Sequence, residues 1–386
     1  MPVLSCFLFS NDYHVNMGIT LSHISALHAM RVLRSDGRDL KRLDPAPVAT
    51  PAPWVGKRWS MHEFAPDVWK WQQPTAQCPL DVLVPSSKER LRMKNVHSHI
   101  CSRKLPPKAV RWLDNNTSIA SPQLVFLQMA EVLDFHALIL LAYELCGHFS
   151  RCAGNPLSGP IVDNICAATS VTELRDFLKA ARGIPGVQTA LTALEFVADN
   201  ALSAPESILG MMYSLPPSLS GYGMGPITLN QRVPITSMEE DQPSRSRYPD
   251  LMFSFAPVGI NYDGSEHLNL DRISRAAHSS NPDEDESESA ATKAVRDKYV
   301  DDLRRNRELL AEGKIVFPAV KEDLEDGDHL DKLTFQILRC AKLCFGADVQ
   351  TYERTLFDTF AKRGRDELLG SVMPGASAIA AKALLL

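Results

Sequence analysis

The chain has 386 residues, 45% of them apolar and 23% charged, enough to bury one or two sizeable cores over a length that favours two or three domains. Its formal net charge of -5 excludes a protein that coats nucleic acid through bulk charge, so any such contact has to use a local basic patch. The eight cysteines include no Cys-x-x-Cys pair, which favours reduced core thiols over a zinc site. Cys340 and Cys344 are spaced as neighbours on one helix face.

The amino terminus, Met1 to Ser10, is apolar but short and lacks a basic leader. No stretch approaches the roughly 20 apolar residues of a membrane helix. The nearest, Phe135 to Cys146, is interrupted by His136 and Glu144. A cytoplasmic protein without a membrane partner is expected.

Ser22 is a good N-cap ahead of Ile24, Leu27, Met30 and Leu33, which predicts a first helix over residues 22 to 34. From Asp44 to Pro74 the prolines break any regular element. That segment carries Trp54, Trp59, Trp69 and Trp71, aromatics suited either to covering a small core or to stacking on bases. Short strands are predicted at Leu80 to Val84, Val96 to Cys101 and Val110 to Leu113. Ser121-Pro122 opens a helix whose apolar pattern continues toward Leu145. After a linker-like stretch from Ala153 to Pro160, Ser170-x-x-Glu173 is a capping box for a helix ending before Gly183, and another helix runs through Leu191, Leu194 and Val197.

From Ser203 the period changes. A helix through Ile208 and Met212 leads to strands at Ile227 to Val233, Leu251 to Phe255 and Val258 to Tyr262. Residues 279 to 290 form an acidic, serine-rich insertion expected to be a solvated loop, followed by a charged helix from Thr292 to Glu312 and a strand from Lys314 to Pro318. This order fits a mixed sheet with helices on its faces. Residues 328 to 364 read as two closing helices with Leu333, Ile337, Leu343 and Phe345 buried.

Hydrolysis of a phosphodiester needs a metal held by oxygen ligands from two or three acidic residues. Asp250, directly after Pro249 at the head of a strand, is the best candidate; the same position also suits an Asp that caps a turn. Glu206 is a second, although the capping box Ser203-x-x-Glu206 accounts for it without a metal. Asn261 offers a carbonyl oxygen but no charge, and Asp263 and His267 are placed to compensate. Asp263-Gly264 also fits a turn leaving the strand, and His267 a surface residue. Arg245, Arg247, Arg304, Arg305 and Arg307 are the basic concentration near these residues; they suit phosphate contacts or a solvated salt-bridging face. On a single strand face His97, His99 and Cys101 have the chemistry of zinc ligands, and alternating polar residues on a half-exposed strand explain them as well.

Residues 203 to 324 resemble the very-short-patch-repair-like branch of the restriction-endonuclease superfamily. The motifs that carry the resemblance are Ser203-Ala204-Pro205-Glu206, Asp250, Asn261-Tyr262-Asp263-Gly264-Ser265-Glu266-His267 and Asp302-x-x-Arg305-x-x-x-Leu309, in that order. The resemblance implies Mg²⁺-dependent cleavage of DNA, with Glu206, Asp250 and Asp263 as metal ligands and Asp250, Asn261, Asp263 and His267 in the catalytic site. Three departures bear on activity: Asn261 in place of an acidic ligand, a proline displaced by one position to Pro205, and the acidic insertion. In the amino-terminal half, Leu21 to Leu27, Val96-His97-Ser98-His99 and Ser118 to Ala130 resemble AbiEi-like antitoxins of type IV toxin-antitoxin systems, which implies a bacterial defence or transcriptional role and a cognate toxin or other protein partner.

The expectation is an α+β protein. It has a small α/β amino-terminal domain over 1–152, a helical connector over 153–200, a restriction-endonuclease-like mixed sheet flanked by helices over 201–325, and a helical extension over 326–386. The expected function is a DNA endonuclease whose activity is degenerate at Asn261; the alternatives are a catalytically inactive DNA- or protein-binding regulator and an unrelated structural protein.

Overall fold

The computed structural model of the protein describes residues 18–49, 74–92, 94–114, 117–152, 160–236, 245–263 and 282–373. The four tryptophans between residues 54 and 71, most of the 153–160 linker, His267 and residues 279–281 lie outside them. The fold is mixed α/β with mixed sheets, and the chain divides into two compact units, residues 1–30 with 42–125, and residues 31–41 with 126–386. Residues 126–152, expected with the amino-terminal domain, thus fall in the second unit, together with the connector and the carboxy-terminal extension.

The first unit is built on a five-stranded sheet. Its strands are β1 (Ile19–Leu21), β2 (Leu80–Val84), β3 (Val96–Ile100), β4 (Val110–Trp112) and β5 (Thr117–Ala120), in the order β3-β2-β1-β5-β4. β1 is antiparallel to β2 and parallel to β5, β2 and β3 are parallel, and β4 and β5 are antiparallel. β2 reads as a near-continuous apolar run because it is an inner strand, and all five of its residues are buried, Asp81 included. β3 is an edge strand, with His97 and Ile100 exposed and its other residues half-buried. Helix α1 (His23–Ser35) follows β1 directly.

The pattern from Ser121 to Leu145 is two helices and not the single one predicted. α2 (Pro122–Met129) stops, and α3 (Phe135–Cys146) restarts where the Ala137 N–H donates to Asp134 Oδ1 at 2.9 Å. An apolar period alone does not reveal such a break, because both helices are buried on most sides. α4 (Val171–Ala180) begins at the predicted cap, with the Glu173 N–H donating to Ser170 Oγ at 3.2 Å, and α5 (Val187–Ala193) follows.

α6 (Ala204–Ser214) precedes β6 (Ile227–Leu229), the two-stranded β7 (Val233–Pro234) and β8 (Ser246–Arg247), β9 (Leu251–Phe253) and β10 (Val258–Asp263). The predicted 227–233 strand is therefore divided, the turn residue Asn230 having a φ of 48°. α7 (Pro282–Ala311) then leads to β11 (Ile315–Val320). The acidic segment was expected to be a loop, but α7 begins at Pro282. A proline followed by acidic residues is a favourable helix start, since proline presets φ and carboxylates complement the N-terminal dipole. The main sheet is ordered β11-β10-β9-β6, with β6, β9 and β10 antiparallel and β11 parallel to β10.

After the short α8 (Lys321–Glu325), three helices stand where two were expected within 328–364: α9 (Gly327–Phe345), α10 (Gln350–Phe357) and α11 (Thr359–Val372). Gly346 ends α9 in the left-handed region at φ 65°, and Asp358 caps α11. Leu333 and Ile337 are buried as predicted, whereas Leu343 is 70% and Phe345 36% exposed. Nor are all cysteines core thiols: Cys146 is buried, but Cys166 and Cys344 are exposed. Among the described residues no helix is long and apolar enough to cross a membrane.

α3 is buried from Ala137 to Cys146 and carries one charge, Glu144. Arg31 Nε and Nη2 donate to its two oxygens at 2.9 and 2.8 Å, and the Arg151 N–H donates to Oε1 at 3.1 Å. Arg34 donates to the carbonyls of Glu144 and Gly147 at 3.0 and 2.9 Å. Burial would raise the Glu144 pKa, but the opposing charge and hydrogen bonds of Arg31, with Arg151 and Arg34, bring it down to about 2. With the folded pKa below the unfolded one, this stabilisation is present above about pH 4.5 and is lost as the pH falls toward 2. Removing the charge orphans the buried guanidiniums. Glu144→Gln is therefore expected to cost about 3 kcal/mol in urea unfolding at pH 7, and Glu144→Leu combined with Arg31→Met distinctly less than Glu144→Leu alone.

Candidate functional site

β9 and β10 approach closely because residue 259 is glycine: a Cβ there would lie 2.3 Å from Met252 Sδ and 2.4 Å from the Leu251 carbonyl. The antiparallel register Ile260↔Leu251 sets Asn261 beside Asp250. There the Asp250 N–H donates to Asn261 Oδ1 at 3.2 Å, and the Tyr262 N–H donates to Asp250 Oδ2 at 2.6 Å. The N–H of Asn230, just past β6, donates to the Asp250 carbonyl at 3.2 Å, and its Nδ2 donates to Glu206 Oε2 at 2.7 Å. Glu206, in the first turn of α6, also accepts from the Leu202 N–H at 2.9 Å and from Ser203 Oγ at 2.8 Å. Glu206, Asp250 and Asn261 are thus tied to one end of the sheet through Asn230.

Two carboxylates share this buried end. Burial, and then the charge of Asp250, push the Glu206 pKa up to about 7 against the three hydrogen bonds it accepts. Burial also pushes Asp250 up to about 6; the Tyr262 N–H and the Arg305 charge oppose the rise, and Asp263 and Asp302 add to it. Asn261 is 4% exposed, and its Nδ2 has no hydrogen-bond partner. A donor rather than an acceptor is therefore left over at the position where an acidic ligand was sought.

These donors fit a Mg²⁺ ion poorly. The amide oxygen of Asn261 is already engaged, Glu206 spends both oxygens on hydrogen bonds, and Glu206, Asp250 and Asp263 do not bring ligand atoms within 4.8 Å of one another. Asp263 stands at the end of β10 and is half-buried. The arginines divide. Arg245 and Arg247 pair with Asp301 and Glu308, and Arg305 pairs with Asp302 at 3.1 Å. Arg304 and Arg307 are exposed on α7.

The first unit holds a second constellation. Asp81, His97 and His99 form, among the described residues, the one group of three or more His, Cys, Asp or Glu side chains whose ligand atoms all lie within 4.8 Å. His99 Nε2 is 2.7 Å and His97 Nδ1 3.5 Å from Asp81 Oδ1. His23 stacks on His99 with ring centroids 3.6 Å apart; burial, then the charges of His99 and His97, lower its pKa to about 3. Cys101, grouped with the two histidines from sequence, is not part of the cluster, and its Sγ donates to the Arg103 carbonyl at 3.4 Å. Asp81 was missed. The signal was a lone carboxylate inside Leu80-Asp81-Val82-Leu83-Val84, since a charge in a buried strand requires a partner.

Comparison with protein-family models, curated proteins and solved structures gives no match to this chain.

The raised carboxyl pKa of Glu206 has a stability consequence. Between about pH 4.5 and 7 the folded state holds a proton that the unfolded state has released, so stability falls as the pH rises through that window. Glu206→Gln can accept from Leu202 and Asn230 and donate to Ser203. In metal-free buffer it is expected to flatten this part of the stability profile and to exceed the wild type at pH 8 by roughly 2 kcal/mol, read from urea midpoints at pH 5 and 8.

Proposed function

We infer that residues 203 to 324 form an endonuclease-like domain that engages DNA, with cleavage weakened because Asn261 stands where an acidic ligand is required. The observation that carries this reading is the order helix, three antiparallel strands, helix, parallel strand, with Glu206 at the first helix start, Asp250 before β9 and Asn261 on β10 held at one end of the sheet. That is the order in which the resembling motifs occur. The restriction-endonuclease-like arrangement, DNA as partner and Mg²⁺ as cofactor belong to the proposal. A bacterial defence or toxin-antitoxin setting, with a toxin partner, rests on the motif resemblance of the amino-terminal half alone.

A second reading is a catalytically inactive DNA- or protein-binding regulator. The unpartnered Asn261 Nδ2 favours it, because an N–H donor at this place repels a cation. Calorimetric titration with Mg²⁺ separates the two. Weak binding by the wild type and at least roughly tenfold tighter binding by Asn261→Glu, accompanied by DNA nicking, supports the weakened nuclease. DNA binding without nicking by either form supports the regulator, and tight stoichiometric Mg²⁺ binding by the wild type refutes the role given to residue 261.

Phosphate contact falls to the exposed pair on α7. Arg304→Ala with Arg307→Ala is expected to weaken DNA binding and to reduce the slope of log affinity against log salt by about 2, whereas Arg245→Ala, whose charge is already paired, leaves the slope nearly unchanged. A fluorescence-anisotropy salt series checks this, and a double variant that binds like the wild type removes α7 from the interface.

A further inference from the structure

We propose that the amino-terminal unit binds one first-row transition-metal ion of the Zn²⁺ class through Asp81, His97 and His99, leaving a fourth coordination position open to solvent. Two imidazole nitrogens and one carboxylate oxygen make a donor set of intermediate softness. Zn²⁺ and its neighbours accept such a set, while Mg²⁺ and Ca²⁺ select oxygen cages.

The spacing agrees. Ligand atoms about 2.1 Å from a tetrahedral zinc ion lie roughly 3.4 Å from one another. His97 Nδ1 is 3.5 Å from Asp81 Oδ1. His99 Nε2, at 2.7 Å, is at hydrogen-bond distance from the same oxygen, so the ion would take the place of the bridging proton with a side-chain shift of less than about 1 Å.

The backbone holds the set in place. The parallel register puts Asp81 opposite His97, and His99 lies two residues farther along the same strand face. The Asp81 carbonyl accepts from the Ser22 N–H at 3.0 Å, and its N–H donates to Ser25 Oγ at 2.8 Å. The stacked ring of His23 limits rotation of His99. Exposure is graded: the Asp81 side chain is 7% exposed, His99 24% and His97 66%. The carboxylate therefore sits at the floor and the imidazoles toward solvent, on the edge strand β3, where an ion can enter.

The test uses the full chain stripped with a chelator and titrated with Zn²⁺ against a chromophoric competitor, followed by Co²⁺ substitution. One equivalent of Zn²⁺ is expected, with affinity lowered roughly tenfold or more by His97→Ala and by Asp81→Asn and unchanged by Cys101→Ser. The Co²⁺ form should show visible bands of tetrahedral intensity that disappear in His97→Ala, an exposed position whose substitution spares the fold. Failure of the wild type to bind Zn²⁺ at micromolar concentration overturns the proposal, as does wild-type affinity in His97→Ala.

Discussion

The reciprocal hydrogen bonds between Asp250 and the Asn261-Tyr262 pair are the constraint on which the carboxy-terminal sheet depends. A backbone N–H on one strand meets a side-chain oxygen on the other, and the opposite strand returns the bond to the first strand's carboxylate. A register shift of one residue would break both contacts and set Asp250 and Asn261 on opposite faces. The absence of a side chain at Gly259 permits the approach, and the N–H of Asn230 extends the fixed geometry to the end of β6. The price is that two carboxyl groups are held where water is scarce, and they respond by taking up protons more readily than free carboxyls do.

Local chemistry was legible in the sequence and long-range pairing was not. Ser170 and Ser203 announce their helices because a cap is a matter of three or four consecutive residues, and both hydroxyls accept the expected N–H. Asp134 is as good a cap, but it is embedded in an apolar pattern that continues on both sides of it, so the break between α2 and α3 is masked. Leu343 and Phe345 are apolar and on a helix, yet both are exposed, because the side of α9 that meets the rest of the unit is decided by elements far away in sequence.

The two candidate sites illustrate the same division. Glu206, Asp250 and Asn261 were singled out by their order along the chain, yet what each atom does there depends on partners that order does not supply. Asn230, which joins the two carboxylate residues, has no motif to mark it. At the other site His97 and His99 were visible as an alternating pair, while Asp81 became their neighbour only through the pairing of β2 with β3. Cys101 fell away because the strand ends at Ile100.

The Glu144 network also limits how the chain can be shortened. Its principal partner, Arg31, is 113 residues away and belongs to a short segment, residues 31–41, that is packed into the second unit although most of the surrounding sequence is not. A fragment that starts after this segment would carry a buried carboxylate with only Arg151 beside it. Such a fragment would fold best in acid, where Glu144 is neutral, and would loosen toward neutral pH, the reverse of the intact chain's dependence on this group. The autonomous piece of this protein is therefore discontinuous in sequence, and expression boundaries drawn at a linker would cut through its charge balance.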